Sequence, residues 1–367
     1  MTGGHRQAHA VEVAVFRSRN AEMPTWYRGL AIAIAAVLLL TTVGLLNEHR
    51  AQDKSADHPV LPPPPSALTV QPDTSVVPLS GTPIDIASNG PYLYVLTSRP
   101  EALDELVRIG PTNRQQVLRR VLVADTSYRI ILDGTSGRVW LLQHGPQPAL
   151  TTLKEFDPLT LKMVHEASAP ALITNAVALR GRLYLAAASG IYGMSFDDTR
   201  SQKIAVFGDM AVSSMVADPT RDQLIALSPH GRGSTLAVLD AEAGTYRSLD
   251  LDVQHASLAL VFVYLWVAGT DEKGTPLLVN LDPQKLRITS SVRLAAADPV
   301  PTIWAGDTVI WISGTRSLVC RDARTGNTLT VAPNLTGPVV PSNGYAYSLG
   351  PQFMRALDLS RTRCYQG

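Results

Sequence analysis

Apolar residues follow two different patterns along this chain. From Gly29 to Leu46 they form one unbroken run, GLAIAIAAVLLLTTVGLL, with no charge. Beyond residue 66 they come only as short alternating or apolar runs, separated by Gly, Asp, Asn and Pro. The first pattern has the length of a membrane-spanning helix: 18 residues at about 1.5 Å each reach about 27 Å, close to a bilayer's hydrocarbon thickness. The second is the pattern of β-strands and turns, and no amphipathic helix of more than three turns interrupts it.

The residues flanking the apolar run give it an orientation. Trp26 and Tyr27 stand at its start, where amphipathic rings favour the interface, and Arg6, Arg17, Arg19 and Arg28 precede it. Only Arg50 and Lys54 follow closely. The positive-inside rule then predicts a cytoplasmic tail over 1–28, a transmembrane helix over 29–46 and an extracytoplasmic remainder. A cleaved signal peptide fits less well, because its basic region would be unusually long and no small-residue cleavage site follows. Residues 47–74 read as an extracytoplasmic linker stiffened by Pro62–Pro65, since proline lacks a backbone donor and favours the polyproline II conformation.

The short runs recur at fixed spacing. YLYVL, RVWLL, RLYLA, QLIAL, YLWVA, VIWIS and YAYSL are centred on Tyr94, Trp140, Tyr184, Ile225, Trp266, Trp311 and Tyr347, a period of about 42 residues. A second series keeps step with these anchors. Asp157, Asp197, Asp240, Asp282, Asp322 and Asp358 each open a tight turn, with Gly110 in the first repeat's equivalent place. An aspartate there bonds its own backbone two residues on, while Gly244 and Gly326 tolerate positive φ. These acids therefore read as hairpin punctuation. Each repeat holds about four strands, and seven such units predict an all-β, seven-bladed β-propeller over 75–367. The chain after Asp358 is too short for a last outer strand, so Ser75–Leu79 is expected to complete blade seven and hide the open edges.

The hairpins VLDAEAGTYRS, VNLDPQKLRITSSVRL and VCRDARTGNTLTV resemble the YVTN and PQQ-like propeller repeats, in which a strand ends in Asp and Thr-Gly often follows. This repeat-level resemblance spans about residues 75–367 and implies the architecture; many unrelated activities share it. Quinoprotein members of this group carry a docking tryptophan in each repeat's last strand and adjacent cysteines over the cofactor. Here those tryptophans are lacking and Cys320 and Cys364 are far apart in sequence, so no cofactor is expected.

Composition narrows the partners. Lys plus Arg is 32 against 31 for Asp plus Glu, a net charge of +1, which lacks the electrostatic footprint of a nucleic-acid binder. Charged residues make up only 17%, while Gly and Pro are 26 each, in keeping with many turns. The eight histidines show no metal-ligand spacing, and neither a G-x-S-x-G elbow nor a phosphate-binding glycine loop occurs, so no catalytic or metal residue is assigned. The inner strands of a propeller line its central channel. Asp85, Asn175, Ser257 and Thr302 each lie nine residues before an anchor and are the candidate ligand-binding residues of a polar ring there. Cys320 and Cys364 are a candidate disulfide on the oxidising side of the membrane.

These readings converge on a single-pass cell-membrane protein, composition fitting a high-GC bacterium, whose extracytoplasmic propeller binds a protein or small ligand. Two other readings stay open at this point: an enzyme of lactonase or lyase type acting at the channel mouth, and a structural scaffold of a cell-envelope complex. Clustered histidines and carboxylates on one face would favour the enzyme; an exposed apolar patch would favour binding.

Overall fold

Beyond residue 66 the alternating runs pair into seven antiparallel sheets in chain order, the blades of a β-propeller. The structure is a computed structural model and describes residues 67–364 except 71–72, 100–101, 111–115, 123–126, 135, 145–149, 170, 197–200, 205–210, 295–300, 315–316, 336 and 351–352. The chain divides into two compact units, 1–64 and 65–367, and all described residues belong to the second. The expected tail over 1–28, helix over 29–46 and linker up to residue 66 lie outside the described residues. Among the described residues no helix is long and apolar enough to cross a membrane.

Blades one to seven span Thr82–Val121, Ser127–Ala169, Ile173–Ile204, Ser214–Leu251, Gln254–Arg293, Thr302–Pro333 and Val339–Asp358. The first strand of each lies innermost, and these strands contact one another in succession from blade seven through blade one to blade six. The second strand carries the anchor, and all seven anchors are buried.

The second strands are apolar through their middles, because neither face meets water there. In Tyr92–Arg99, Leu93 and Val95 enter the core shared with blade seven, while Tyr94 and Leu96 enter the core shared with blade two. Val139–His144 repeats the split: Val139 and Leu141 face blade one, Trp140 and Leu142 face blade three. The same alternation continues around the ring, with Trp266 packed towards blade six, Trp311 towards blade seven and Tyr347 towards blade one. Each anchor therefore belongs to the interface with the following blade. Burying one large aromatic there contributes a few kcal/mol.

The anchors and the turn aspartates, two separate series in the sequence, meet across these interfaces. Tyr94 donates its hydroxyl to the Pro158 carbonyl at 3.1 Å, and Trp266 donates its indole N–H to the Ala323 carbonyl at 2.7 Å. In both cases the acceptor follows the turn aspartate of the next blade. The aspartates hold those turns as expected: the Oδ1 atoms of Asp157, Asp240, Asp282 and Asp322 each accept two amides from residues two and three further on. Asp358 accepts the Ser360 amide, and Asp197 lies outside the described residues.

Four residues after Asp157, Asp240, Asp282 and Asp322 the backbone is left-handed, at Leu161, Gly244, Leu286 and Gly326. Under the large Trp266 stands Gly326, whose absent Cβ would come within 2.7 Å of the indole ring. Ile225 is smaller, and its core receives Leu286 at φ +47°. Leu161, at φ +53°, is fully buried in the core of Tyr94. A left-handed leucine costs about 1–3 kcal/mol, which burial of its side chain offsets by about 1.5–3 kcal/mol.

Two N-terminal strands close the ring. Asp73–Pro78 pairs antiparallel with Phe353–Asp358 as the outer strand of blade seven, two residues earlier in the chain than the expected start. Just before it, Leu68–Thr69 pairs parallel with Thr328–Pro333 and makes a fifth strand on blade six. The expectation of a linker reaching residue 74 is corrected by these pairings: Leu68 and Thr69 find the unpaired outer edge of blade six, and Val70 enters the core between blades six and seven. Cys320, on the third strand of blade six, is joined to Cys364, with Cα atoms 6.3 Å apart and both side chains in that same core. Across the seven-to-one junction Asn343 Nδ2 donates to Pro91 O at 2.9 Å and Ser88 Oγ to Pro341 O at 3.2 Å.

Two expected outcomes follow from this packing. Gly326→Ala places a methyl against Trp266 at positive φ and should destabilise by about 3 kcal/mol, whereas Gly244→Ala meets nothing within 4 Å and should lose only about 1 kcal/mol; denaturant midpoints of the two variants compare them. The disulfide closes a loop with sequence separation 44, for which chain entropy gives about 4 kcal/mol. The unreduced protein should therefore leave Cys320 and Cys364 unlabelled by a thiol reagent, and reduction should lower its melting temperature.

Candidate functional site

At the channel, strand pairing defines a ring of equivalent positions more directly than spacing does. Asp85 pairs with Leu96, Arg129 with Leu142, Asn175 with Ala186, Ser214 with Leu227, Ser257 with Ala268 and Thr302 with Ser313. Each partner lies two residues after its blade's anchor. Arg129 and Ser214 thus join the four residues found by counting. Turn length explains why counting missed them. Two residues separate the last paired residues of the first hairpin in blades one, three and five: Asn89 and Tyr92, Leu179 and Arg182, Val261 and Tyr264. The turns between Leu132 and Val139 and between Asp218 and Gln223 are longer and set Arg129 and Ser214 farther from their anchors. All six ring residues are polar.

The ring divides by what each side chain does. Asp85 turns sideways, and its Oδ2 accepts the Ile130 amide of blade two at 2.8 Å while its Oδ1 accepts the Ile86 amide at 3.0 Å. Burial raises its pKa, opposed by the Ile130 amide, by the Arg129 guanidinium and by the Ile86 amide. Arg129 reaches the Thr174 carbonyl of blade three at 3.4 Å, and Ser214 Oγ accepts the Leu258 amide of blade five at 3.2 Å. These three residues tie successive inner strands together.

Asn175, Ser257 and Thr302 line one cavity of about 510 Å³, together with Arg129, Ser214 and Trp304. Asp85 is not among its lining residues. The hydroxyl of Ser257 is buried and makes no hydrogen bond. The cavity thus offers four hydroxyls, those of Ser213, Ser214, Ser257 and Thr302, a carboxamide and one guanidinium on an apolar wall. Those groups can orient a small polar ligand, but they include no pair of titratable groups for proton transfer.

Elsewhere the titratable groups are dispersed. His144 stacks on Tyr128 at 4.7 Å, and His230 lies 3.5 Å from Asp250 at the surface. Among the described residues no group of three or more His, Cys, Asp or Glu is placed to hold a metal ion.

Exposed apolar side chains, by contrast, gather at one end of the propeller. The turns between first and second strands, and between third and fourth strands, share this end, called the lower end here. It carries Leu159, Met163 and Val164 on blade two, Tyr246 on blade four, and Phe262, Val263 and Ile288 on blade five. Phe262 is 67% and Val164 62% exposed, so these are not partly covered core residues. The sequence signal for them was weak, because apolar turn residues such as Phe262 and Leu159 look like strand ends.

No protein-family model and no curated protein sequence matches the chain. Solved structures match its fold. Hydrazine synthase of Kuenenia stuttgartiensis aligns with a TM-score of 0.59 and 11% identity, covering 79% of this chain and 98% of that one. The Cps50 (Swd1) β-propeller domain of Myceliophthora thermophila gives 0.60 and 11%, covering 79% and 99%. U3-55K gives 0.60 and 7%, covering 78% and 100%. At such identities the likeness shows the fold, and this chain is an all-β, seven-bladed β-propeller.

Asp85→Asn tests the sideways role of that residue. The fold raises the carboxyl's pKa, so the stability tied to protonated Asp85 is full below its unfolded value, is lost as pH rises from there through the folded value, and stays lost above it. An asparagine keeps an acceptor for Ile130 and never ionises. The variant should match the parent protein's melting temperature at about pH 3 and exceed it at pH 7; an equal or lower value at pH 7 would mean that the bonds to ionised Asp85 outweigh its desolvation.

Proposed function

We propose that the chain is a single-pass membrane protein whose propeller stands outside the cytoplasm and binds a protein partner through its lower end. The apolar run 29–46 and the arginines before it support the tether and its orientation. The observation that carries the binding reading is the set of exposed apolar residues on blades two, four and five. Scattered single apolar residues are ordinary on protein surfaces, but a concentration at one end marks an interaction surface. The rigid, interlocked blades beneath suit such a face, because little ordering entropy is lost on docking.

The channel cavity supports a second, subordinate reading. Asn175, Ser257 and Thr302 would hold a small polar ligand by hydrogen bonds alone, without chemistry.

Photocrosslinking in the native membrane separates the two ends. A benzoylphenylalanine in place of Phe262 should capture a discrete partner, and one in place of Leu172, exposed on the opposite end, should not. Capture from neither position, together with turnover of a small-molecule panel by the purified protein, would favour the enzyme reading instead.

A further inference from the structure

Within the lower end a groove of about 590 Å³ opens among the turns of blades four, five and six. Its apolar wall includes Val263, Tyr264 and Pro283, and its polar groups include Asn280, Arg221 and Arg324. We infer that this groove takes an acidic peptide segment of the partner, with an apolar side chain on the wall and carboxylates on the arginines. The inference rests on the reading of the lower end as a protein-binding face and names the chemistry of its ligand.

Three independent features point to that ligand. First, Asn280 is only 7% exposed; its Oδ1 accepts the Thr289 hydroxyl, but its Nδ2 has no acceptor. A buried amide donor without a partner is costly. Because this Nδ2 has almost no exposed surface, a ligand acceptor would relieve it only if the side chain turned into the groove. Second, Arg324 is exposed and spends only its main-chain N–H, on the Asp322 turn, so its guanidinium is unpaired. Arg221 is engaged through one nitrogen, with Asp218 at 2.7 Å. Third, the groove's own lining carries two guanidiniums, Arg221 and Arg324, against one carboxylate, Asp282. Lys285 and Arg287 act on that carboxylate, and Arg247 reaches the Gln284 carbonyl at 2.6 Å. That carboxylate is already committed to the Lys285 and Gln284 amides, and the Lys285 amide leads in lowering its pKa.

Guanidinium groups pair bidentately with carboxylates, so Arg324 supplies both charge and geometry. The concave shape favours a peptide over an anionic membrane surface. Phe262 and Val263 at the rim project far enough to meet either, but Asn280 lies too deeply buried for a flat headgroup layer to reach.

The test uses the full chain in neutral-lipid nanodiscs and fluorescence anisotropy. The probes are a labelled peptide with leucine and phenylalanine between glutamates, and its counterpart with every glutamate replaced by glutamine. The acidic peptide should bind at least about tenfold more tightly than the glutamine peptide, and less tightly as salt is raised. Arg324→Glu, at an exposed turn tip, should weaken it about tenfold with an unchanged melting temperature, and Arg324→Lys should weaken it less. Asn280→Leu should weaken both peptides. Equal affinity for the two peptides, absence of saturable binding, or indifference to Arg324→Glu would overturn the proposal, as would displacement of the peptide by phosphatidylserine vesicles. If Arg324→Glu leaves photocapture at position 262 intact, the groove assignment fails while the binding-module reading stands.

Discussion

Because the second strand of every blade is dry on both faces, its alternate residues are committed to two different neighbours. Leu93 and Val95 belong to blade seven's interface as surely as Tyr94 and Leu96 belong to blade two's. No blade can therefore bury its apolar strand alone, and stability is held in interfaces more than in sheets. The anchors direct this dependence. Each leans towards the next blade, and where it is Tyr94 or Trp266 it also donates to the turn that the next aspartate holds. A regular hairpin is thus a requirement of the preceding blade as well as of its own.

The interface between blades six and seven departs from that scheme. By position Trp311 should donate to the Leu359 carbonyl, but that oxygen accepts both the amide and the hydroxyl of Thr362. The indole N–H of Trp311 is left buried without a partner. The same interface contains Val70, Cys320 and Cys364. Covalent and N-terminal reinforcement thus stands at one interface that lacks this bond; the indole N–H of Trp140, between blades two and three, also has no partner among the described residues.

Much of this was legible in the sequence because it is periodic. The anchors and turn aspartates announced seven units, and the shortfall after Asp358 announced the closing strand. The parallel strand Leu68–Thr69 was not legible, since two residues paired to a distant edge leave no local pattern. In the channel, counting residues recovered Asp85, Asn175, Ser257 and Thr302 but not Arg129 and Ser214. The longer hairpin turns of blades two and four alter the count to the anchor without altering the position across the sheet. Counting also could not show that Asp85 turns to the Ile130 amide, because the direction of a side chain beside a bulge depends on the neighbouring blade. The leucines at positive φ leave no turn signal in the sequence, yet Leu161 and Leu286 pack into the cores of Tyr94 and Ile225.

The outer strand of blade seven has a further consequence for how the chain is made. Asp73–Pro78 is synthesised before any blade, but its partner, Phe353–Asp358, comes almost last. During synthesis the early strand must wait with its edge unsatisfied while six blades assemble in order behind it. Contacts of such sequence separation slow folding and prolong the exposure of sticky edges. A ring stitched by its first and last strands can be complete only after Phe353–Asp358 emerges, so loss of that strand reaches back to the strand made first.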